Sequence, residues 1–267
     1  MSKGTTLAGI KKFVTNNLPT DVVIETVEGG SDDVALMFSA DTQAQMDKFL
    51  ACLTIAKKSG VLTIDYRFPK KGTNVFSSGM NLDNNPKLNV RISRATPLDL
   101  GASYGKWSVG DTLAPFKARL GGCGSMKTGV LQAGAQIVVS GTANFSAKGV
   151  VGQALDVDIS GTSRTSIAYA EVGTSSLKLS GSGGIGVQDG VVKETLTAGV
   201  YGAGGISFGG TAGAAVLELF GSGNINIANV SGKIEKRCIG SGYINVRNKT
   251  NIPNPKPLAG IKRLKFL

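Results

Sequence analysis

A glycine recurs at a nearly fixed interval through more than half of this chain. Gly101, Gly121, Gly141, Gly161 and Gly181 are each twenty residues apart, and the beat continues, slightly slipped, at Gly202, Gly221 and Gly240. Most of these glycines follow a short β-type run, such as Val157-Asp158-Ile159-Ser160, Leu177-Lys178-Leu179-Ser180 or Leu217-Glu218-Leu219-Phe220. A small-residue corner and a second run then follow, as in Ser166-Ile167-Ala168-Tyr169 and Gly184-Ile185-Gly186-Val187. Strands and glycine corners at a period near twenty leave few folds open. Each repeat is too thin to bury its own apolar face, so the repeats must stack into a solenoid. The expected fold is all-β, a parallel β-helix with about eight coils and a length of roughly 40 Å at the usual strand spacing.

Alternation along the runs decides which side chains turn inward. Val157 and Ile159, Leu177 and Leu179, Leu217 and Leu219 share one parity and form the expected core. Asp158, Lys178, Glu218 and Arg237 share the other and face solvent. Stacking sets Asp158 one coil from Lys178, and Glu218 one coil from Arg237. Opposite charges on adjacent strands contribute roughly 0.2–1 kcal/mol per pair. Cys238 has the inward parity, which marks it as a small core residue. Thr142, Thr162, Ser182, Ser222 and Ser241 follow the glycines and read as corner residues bonding to nearby backbone, not as a ligand-binding hydroxyl ladder.

No apolar run reaches the ~18–20 residues of a membrane span. Residues 1–10 lack the apolar stretch of a secretory leader. The cysteines Cys52, Cys123 and Cys238 form no CxxC pair and read as reduced thiols. The formal net charge of +11 is uneven. Lys3, Lys11 and Lys12 lie near the start, and Arg247, Lys249, Lys256, Lys262, Arg263 and Lys265 near the end, in stretches without an acid. The body between them is close to neutral.

The basic ends share a pattern. Leu7-Ala8-Gly9-Ile10-Lys11-Lys12-Phe13 is echoed by Leu258-Ala259-Gly260-Ile261-Lys262-Arg263, which continues to Phe266. Residues 1–20 and 247–267 are therefore expected as basic arms. The second is expected to be extended, because Pro253, Pro255 and Pro257 exclude helix and central strand. The candidate docking residues are Leu7, Ile10, Lys11, Lys12, Phe13, Leu258, Ile261, Lys262, Arg263 and Phe266, which would seat in grooves of neighbouring subunits. Two other readings stay open: the arms lie on an acidic surface, membrane or nucleic acid, or they cap the ends of the rod.

Residues 21–95 carry no glycine beat and read as a β-rich cap, with the solenoid proper over 96–246. Asp21–Val27 and residues 34–38 suggest a hairpin around Glu28-Gly29-Gly30-Ser31-Asp32. Asp41 is placed to cap a short helix with Met46, Phe49 and Leu50 on one face. Residues 52–56 and 61–67 suggest a second hairpin, and 89–92 a further strand. The polar stretch from Phe68 to Pro86 reads as a long loop, of a length that is often functional.

That order of elements, with the corners Leu179-Ser180-Gly181-Ser182-Gly183-Gly184-Ile185, Phe220-Gly221-Ser222-Gly223-Asn224-Ile225-Asn226-Ile227 and Gly240-Ser241-Gly242-Tyr243-Ile244-Asn245-Val246, resembles the auto-transporter adhesin head family, also called the GIN-domain family. The resemblance covers about residues 20–248. It implies a right-handed parallel β-helix and little chemistry. The chain departs from the family pattern in two ways: no export leader is visible, and both ends are basic.

An active site finds no support in the residue types. The chain has no histidine, so Ser-His, Cys-His and HExxH arrangements are ruled out. Asp156 and Asp158 share a strand face, but Val138 and Lys178 flank the second position, which suits solvated surface carboxylates. Gly181-Ser182-Gly183-Gly184-Ile185-Gly186 belongs to the repeat and precedes no helix, so it is no nucleotide loop. No catalytic, cofactor-binding or metal residue is expected. Nucleic acid is disfavoured because only Phe13 and Phe266 are aromatic in the basic ends. The leading expectation is a non-enzymatic structural subunit of a larger assembly: a virion component such as a phage head, tail or decoration protein, assembled in the cytoplasm. Its expected partners are other protein subunits, copies of itself included, docked through the ends. The alternative is a bacterial adhesin-like or scaffold β-helix, for which a glycan is a further partner class. A carbohydrate-active β-helix enzyme comes third.

Overall fold

The computed structural model describes residues 1–29, 32–67 and 86–248. The chain opens with β1 (Ser2–Leu7), β2 (Lys12–Pro19), β3 (Asp21–Val27) and β4 (Val34–Ser39). One helix, α1 (Gln43–Ala51), leads to β5 (Leu53–Lys58), β6 (Val61–Tyr66) and β7 (Lys87–Ser93). Short strands follow: β8 (Leu98–Tyr104), β9 (Lys106–Val109), β10 (Phe116–Leu120), β11 (Ser125–Leu131) and β12 (Ala135–Gly141). The next four each run round a corner: β13 (Asn144–Gly161), β14 (Arg164–Gly181), β15 (Gly184–Gly202) and β16 (Gly205–Gly221). The last are β17 (Asn224–Val230), β18 (Ile234–Ile239) and β19 (Tyr243–Val246).

These strands wind into a β-solenoid of about seven turns, close to the eight expected. Two parallel ladders form its flanks. The first stacks β6, β2, β8, β10, β12, the C-terminal halves of β13 to β16, and β18. The second stacks β7, β3, β9, β11, the N-terminal halves of β13 to β16, β17 and β19. Between them lies one continuous core. Val157 and Ile159 stack on Leu177 and Leu179 in the first ladder, and Ile206 and Phe208 stack on Ile225 and Ile227 in the second. All are buried, and each such side chain contributes about 1.5–3 kcal/mol when taken out of water.

The register pairs Asp158 with Lys178 and Glu218 with Arg237, as the parity requires. Neither pair closes into an ion pair. The corners explain the glycine beat. Gly161 has φ +102, and a Cβ there would lie 2.6 Å from the Gly141 carbonyl oxygen of the coil below. Each glycine thus leaves room for the next, at a backbone angle that L side chains avoid. Thr142 behaves as a corner residue, its Oγ1 donating to the Gly122 carbonyl at 3.3 Å.

The N-terminal third differs from expectation. Residues 1–20 are no free arm. β1 pairs antiparallel with β4, and β2 is a rung inserted between β6 and β8. Likewise β3 lies between β7 and β9. The stack therefore extends well before residue 96, with β2 and β3 inside it. Asp21–Val27 and β4 do not form a hairpin, because β7 separates them. The cap over that end consists of α1, β1, β4 and the antiparallel β5–β6 pair. Thr42, not Asp41, caps the helix: its Oγ1 accepts from Gln45 N, and Gln45 Oε1 accepts from Thr42 N, both at 3.2 Å. This capping box satisfies two orphan donors. Met46 and Phe49 are buried beneath the helix, and Phe49 lies 5.5 Å from the Tyr66 ring.

The opposite end is open among the described residues. Cys238 stacks on Leu219 with the inward parity, yet it is exposed because no described strand covers β18. Lys236 occupies the adjacent inward column, above Leu217, and is also exposed. A charge at that edge position disfavours end-to-end strand pairing.

Candidate binding face

The docking residues expected at the N-terminus are structural. Ile10 and Phe13 are 1 % and 0 % exposed, in the core of the capped end, and Leu7 packs against the same core. Alternation along β2 turns Phe13 and Thr15 inward and leaves Lys12 outside, where it pairs with Asp99 at 3.4 Å. Lys11 is exposed, its stem over Gly60. Leu258, Ile261, Lys262, Arg263 and Phe266 lie outside the described residues, as do residues 68–85 of the long polar stretch.

The first ladder presents mixed charge, and part of it is neutralised around one carboxylate. Asp99 receives both Lys12 and Arg119, the latter at 2.8 Å. Two shallow concavities open on this side. One of about 570 Å³ is lined by residues including Lys12, Asp99, Lys117 and Asp156, and one of about 600 Å³ by residues including Asn16, Asp65 and Arg119. Asp156 and Asp158 are both exposed, with Gln136 and Ser176 stacked against the first and Val138 and Lys178 against the second. Among the described residues no three His, Cys, Asp or Glu come together as a metal site would require.

The second ladder is different. Its strands turn Trp107, Met126, Phe145, Ile167, Ile185, Ile206 and Ile225 into the core. Alternation then forces the intervening residues outward. One outward column reads Lys106, Ser125, Asn144, Arg164, Gly184, Gly205, Asn224 and Tyr243. The next reads Ser108, Lys127, Ser146, Ser166, Gly186, Ser207, Asn226 and Asn245. From β9 to β19 neither column contains an acid; the first continues one rung below Lys106 to Asp21 of β3. Small polar residues keep the surface flat, and Lys106, Lys127, Lys148 and Arg164 rise from it, all exposed. None of these four cations has an ion pair or a side-chain hydrogen bond among the described residues. Asp21, on the neighbouring rung, is turned to the backbone, its Oδ1 accepting from Lys106 N at 2.7 Å.

Sequence reasoning missed this face. Parity along a single run identifies the core, but it does not show that the outward columns of the second ladder join into one surface. The signal was present in the spacing of the lysines, which becomes meaningful only once the register is known.

No family model matches the chain, and no curated protein matches it. Solved structures do. A candidate lipid-binding protein from Parabacteroides distasonis ATCC 8503 superposes with a TM-score of 0.68 at 18% identity, covering 92% of this chain and 96% of that one. A candidate adhesin from Bacteroides fragilis NCTC 9343 superposes with a TM-score of 0.53 at 13% identity, over the same shares of the two chains. At these identities the likeness shows the β-solenoid fold, shared with adhesin candidates, and not membership of the GIN-domain family.

Proposed function

We propose that this protein is a non-enzymatic, adhesin-like β-solenoid that presents the flat outer face of its second ladder to an extended partner. The observation that carries this reading is the set of four exposed cations, without an ion pair among the described residues, on a sheet face whose two outward columns from β9 to β19 hold no acid. On the first ladder, by contrast, Lys12 and Arg119 both pair with the carboxylate of Asp99. A rigid face repeating every coil suits many weak contacts with one long ligand, whose effects multiply through effective concentration. The adhesin-like folds among its structural neighbours agree with this reading, and nothing in the comparisons points to a virion component. The buried N-terminal segment also weakens a role built on twin docking arms.

The test is attachment. Beads coated with the protein are presented to surfaces carrying polysaccharides, proteins or lipid bilayers. Attachment to at least one surface is expected, lost on charge reversal at Lys106, Lys127 and Lys148 and kept on charge reversal at Lys117 and Lys178 of the first ladder. Attachment to none, or cleavage of an offered polymer, would overturn the reading.

A further inference from the structure

Lys106, Lys127 and Lys148 are each 21 residues apart. The rungs that carry them repeat every 19 residues, since Lys106 stacks on Ser125 and Ser125 on Asn144. Each lysine is therefore displaced by two residues along the strand as it moves one coil up. Two residues span about 7 Å and one coil about 4.8 Å, so successive lysines lie roughly 8 Å apart on an oblique line. Arg164 returns to the column of Lys106, next to Asn144. The three lysines thus form a slanted track across the face, with Arg164 to one side and Ser108, Ser125, Asn144, Ser146 and Ser166 along it.

We infer that this track binds an acidic polysaccharide, a chain bearing carboxylate or sulfate groups at regular intervals. The inference rests on the adhesin-like reading and names the ligand of that face. Three features favour this occupant. The face offers positive charge, and Asp21 and Asp111 beside it are turned to backbone N–H groups, of Lys106 and Val130, which leaves the lysines to complement a polyanion. The serine and asparagine side chains between the cations both donate and accept hydrogen bonds, as sugar hydroxyls require. The outward columns from β9 to β17 carry no exposed large apolar side chain, and the exposed Tyr243 stands beyond the track, on β19 at the open end. Single-stranded nucleic acid would call for stacking aromatics, and a membrane surface for apolar groups entering the acyl boundary. Each exposed ion contact is weak alone, so affinity depends on a ligand long enough to meet several coils.

The full chain and a K106E/K127E/K148E variant are titrated with alginate and with dextran sulfate, and with neutral dextran, oligodeoxythymidylate and phosphatidylglycerol vesicles as contrasts. A K48E/K58E/K236E variant carries the same change in net charge on other exposed lysines. Circular dichroism confirms that both variants fold. The expected result is binding to alginate or dextran sulfate that weakens with salt, falls at least tenfold in the track variant, and stays within about threefold in the control. Equal loss in both variants would reduce the effect to net charge and overturn the inference. Preference for neutral dextran, oligonucleotide or vesicles would overturn the polysaccharide assignment while leaving the adhesin-like reading standing. Binding to none of the probes, together with no attachment in the bead assay, would overturn both.

Discussion

The ring of Tyr201 stacks on that of Phe220, one coil away, with centroids 5.3 Å apart and planes within 4°. The Arg237 guanidinium carbon sits 5.1 Å from the centre of the same Phe220 ring, so Phe220 links three successive coils. This ladder explains why Glu218 and Arg237 share a register without forming an ion pair. Glu218 accepts a hydrogen bond from the Tyr201 hydroxyl at 3.2 Å, and Arg237 engages the aromatic face instead. The stack stands at the outer surface near the open end, where fraying costs least. Phe220→Ala is expected to destabilise the rod by about 1–2 kcal/mol, from a stacking contribution of 0.5–1.5 and a cation–π contribution of 0.5–1 kcal/mol. A double-mutant cycle with Tyr201→Ala, followed by chemical denaturation, should return a coupling of about 0.5–1.5 kcal/mol. A coupling near zero would show that the rings are neighbours without stabilising one another.

The corner column makes a sharper demand. Gly161→Ala forces a Cβ against the Gly141 carbonyl at a positive φ, and strain of this kind costs about 1–3 kcal/mol. Gly184 lies in the same repeat, but its φ is ordinary and the nearest atom to an added Cβ is 3.7 Å away. Gly184→Ala should therefore be nearly neutral. Thermal unfolding of the two variants separates positional necessity from mere glycine richness: equal midpoints would deny the corner its special role.

Residues 98 to 246 were legible because their strands repeat one alternation and end on one glycine column. The signal of Val157, Leu177 and Leu217 is local and recurs often enough to fix the parity. β2 offers no such signal. Its corner is Asn17, at φ 52, where the later corners use glycine. Its inward position Thr15 is polar, buried because its Oγ1 accepts from Gly101 N at 3.0 Å. A lysine-rich start and a polar inward residue together read as a surface arm. Nor could the interleaving be seen, since β2 pairs with β6 and β8, some fifty and eighty-five residues further on. The binding face stayed hidden for a related reason. A 21-residue lysine interval acquires meaning only against the 19-residue interval of the rungs beneath it.

Burial, reinforced by the charge and hydrogen bond of Cys52, pushes the Tyr66 phenol from 10.0 up to about 12. In the unfolded chain the phenol loses its proton near its ordinary value, whereas the folded chain retains it. Stability is therefore constant with respect to this group below pH ~10 and falls as pH rises from about 10 to 12. The largest loss is about 2–3 kcal/mol at 1.36 kcal/mol per unit. Urea midpoints followed across that window should decline in the parent chain. In Tyr66→Phe the part of the slope due to this group should vanish. An identical slope in the variant would assign the alkaline loss to other groups.

Because β2 and β3 lie inside the stack, removing residues 1–20 should not detach an arm from an intact rod. It deletes the rung between β6 and β8 and exposes Leu62, Leu98 and Leu100, all now buried. Phe13 is fully buried and pairs in register with Leu62 on one side and Leu98 on the other. Phe13→Ala is therefore expected to cost about 3–5 kcal/mol, and the deletion to abolish cooperative unfolding of the capped end. Lys12→Ala, which removes only the exposed contact to Asp99, should cost less than about 1 kcal/mol. Circular dichroism and thermal melts of the three variants decide the matter. A deletion variant with the parent's β spectrum and melting midpoint would mean that β6 and β8 can close on each other, and that the segment is an appendage after all.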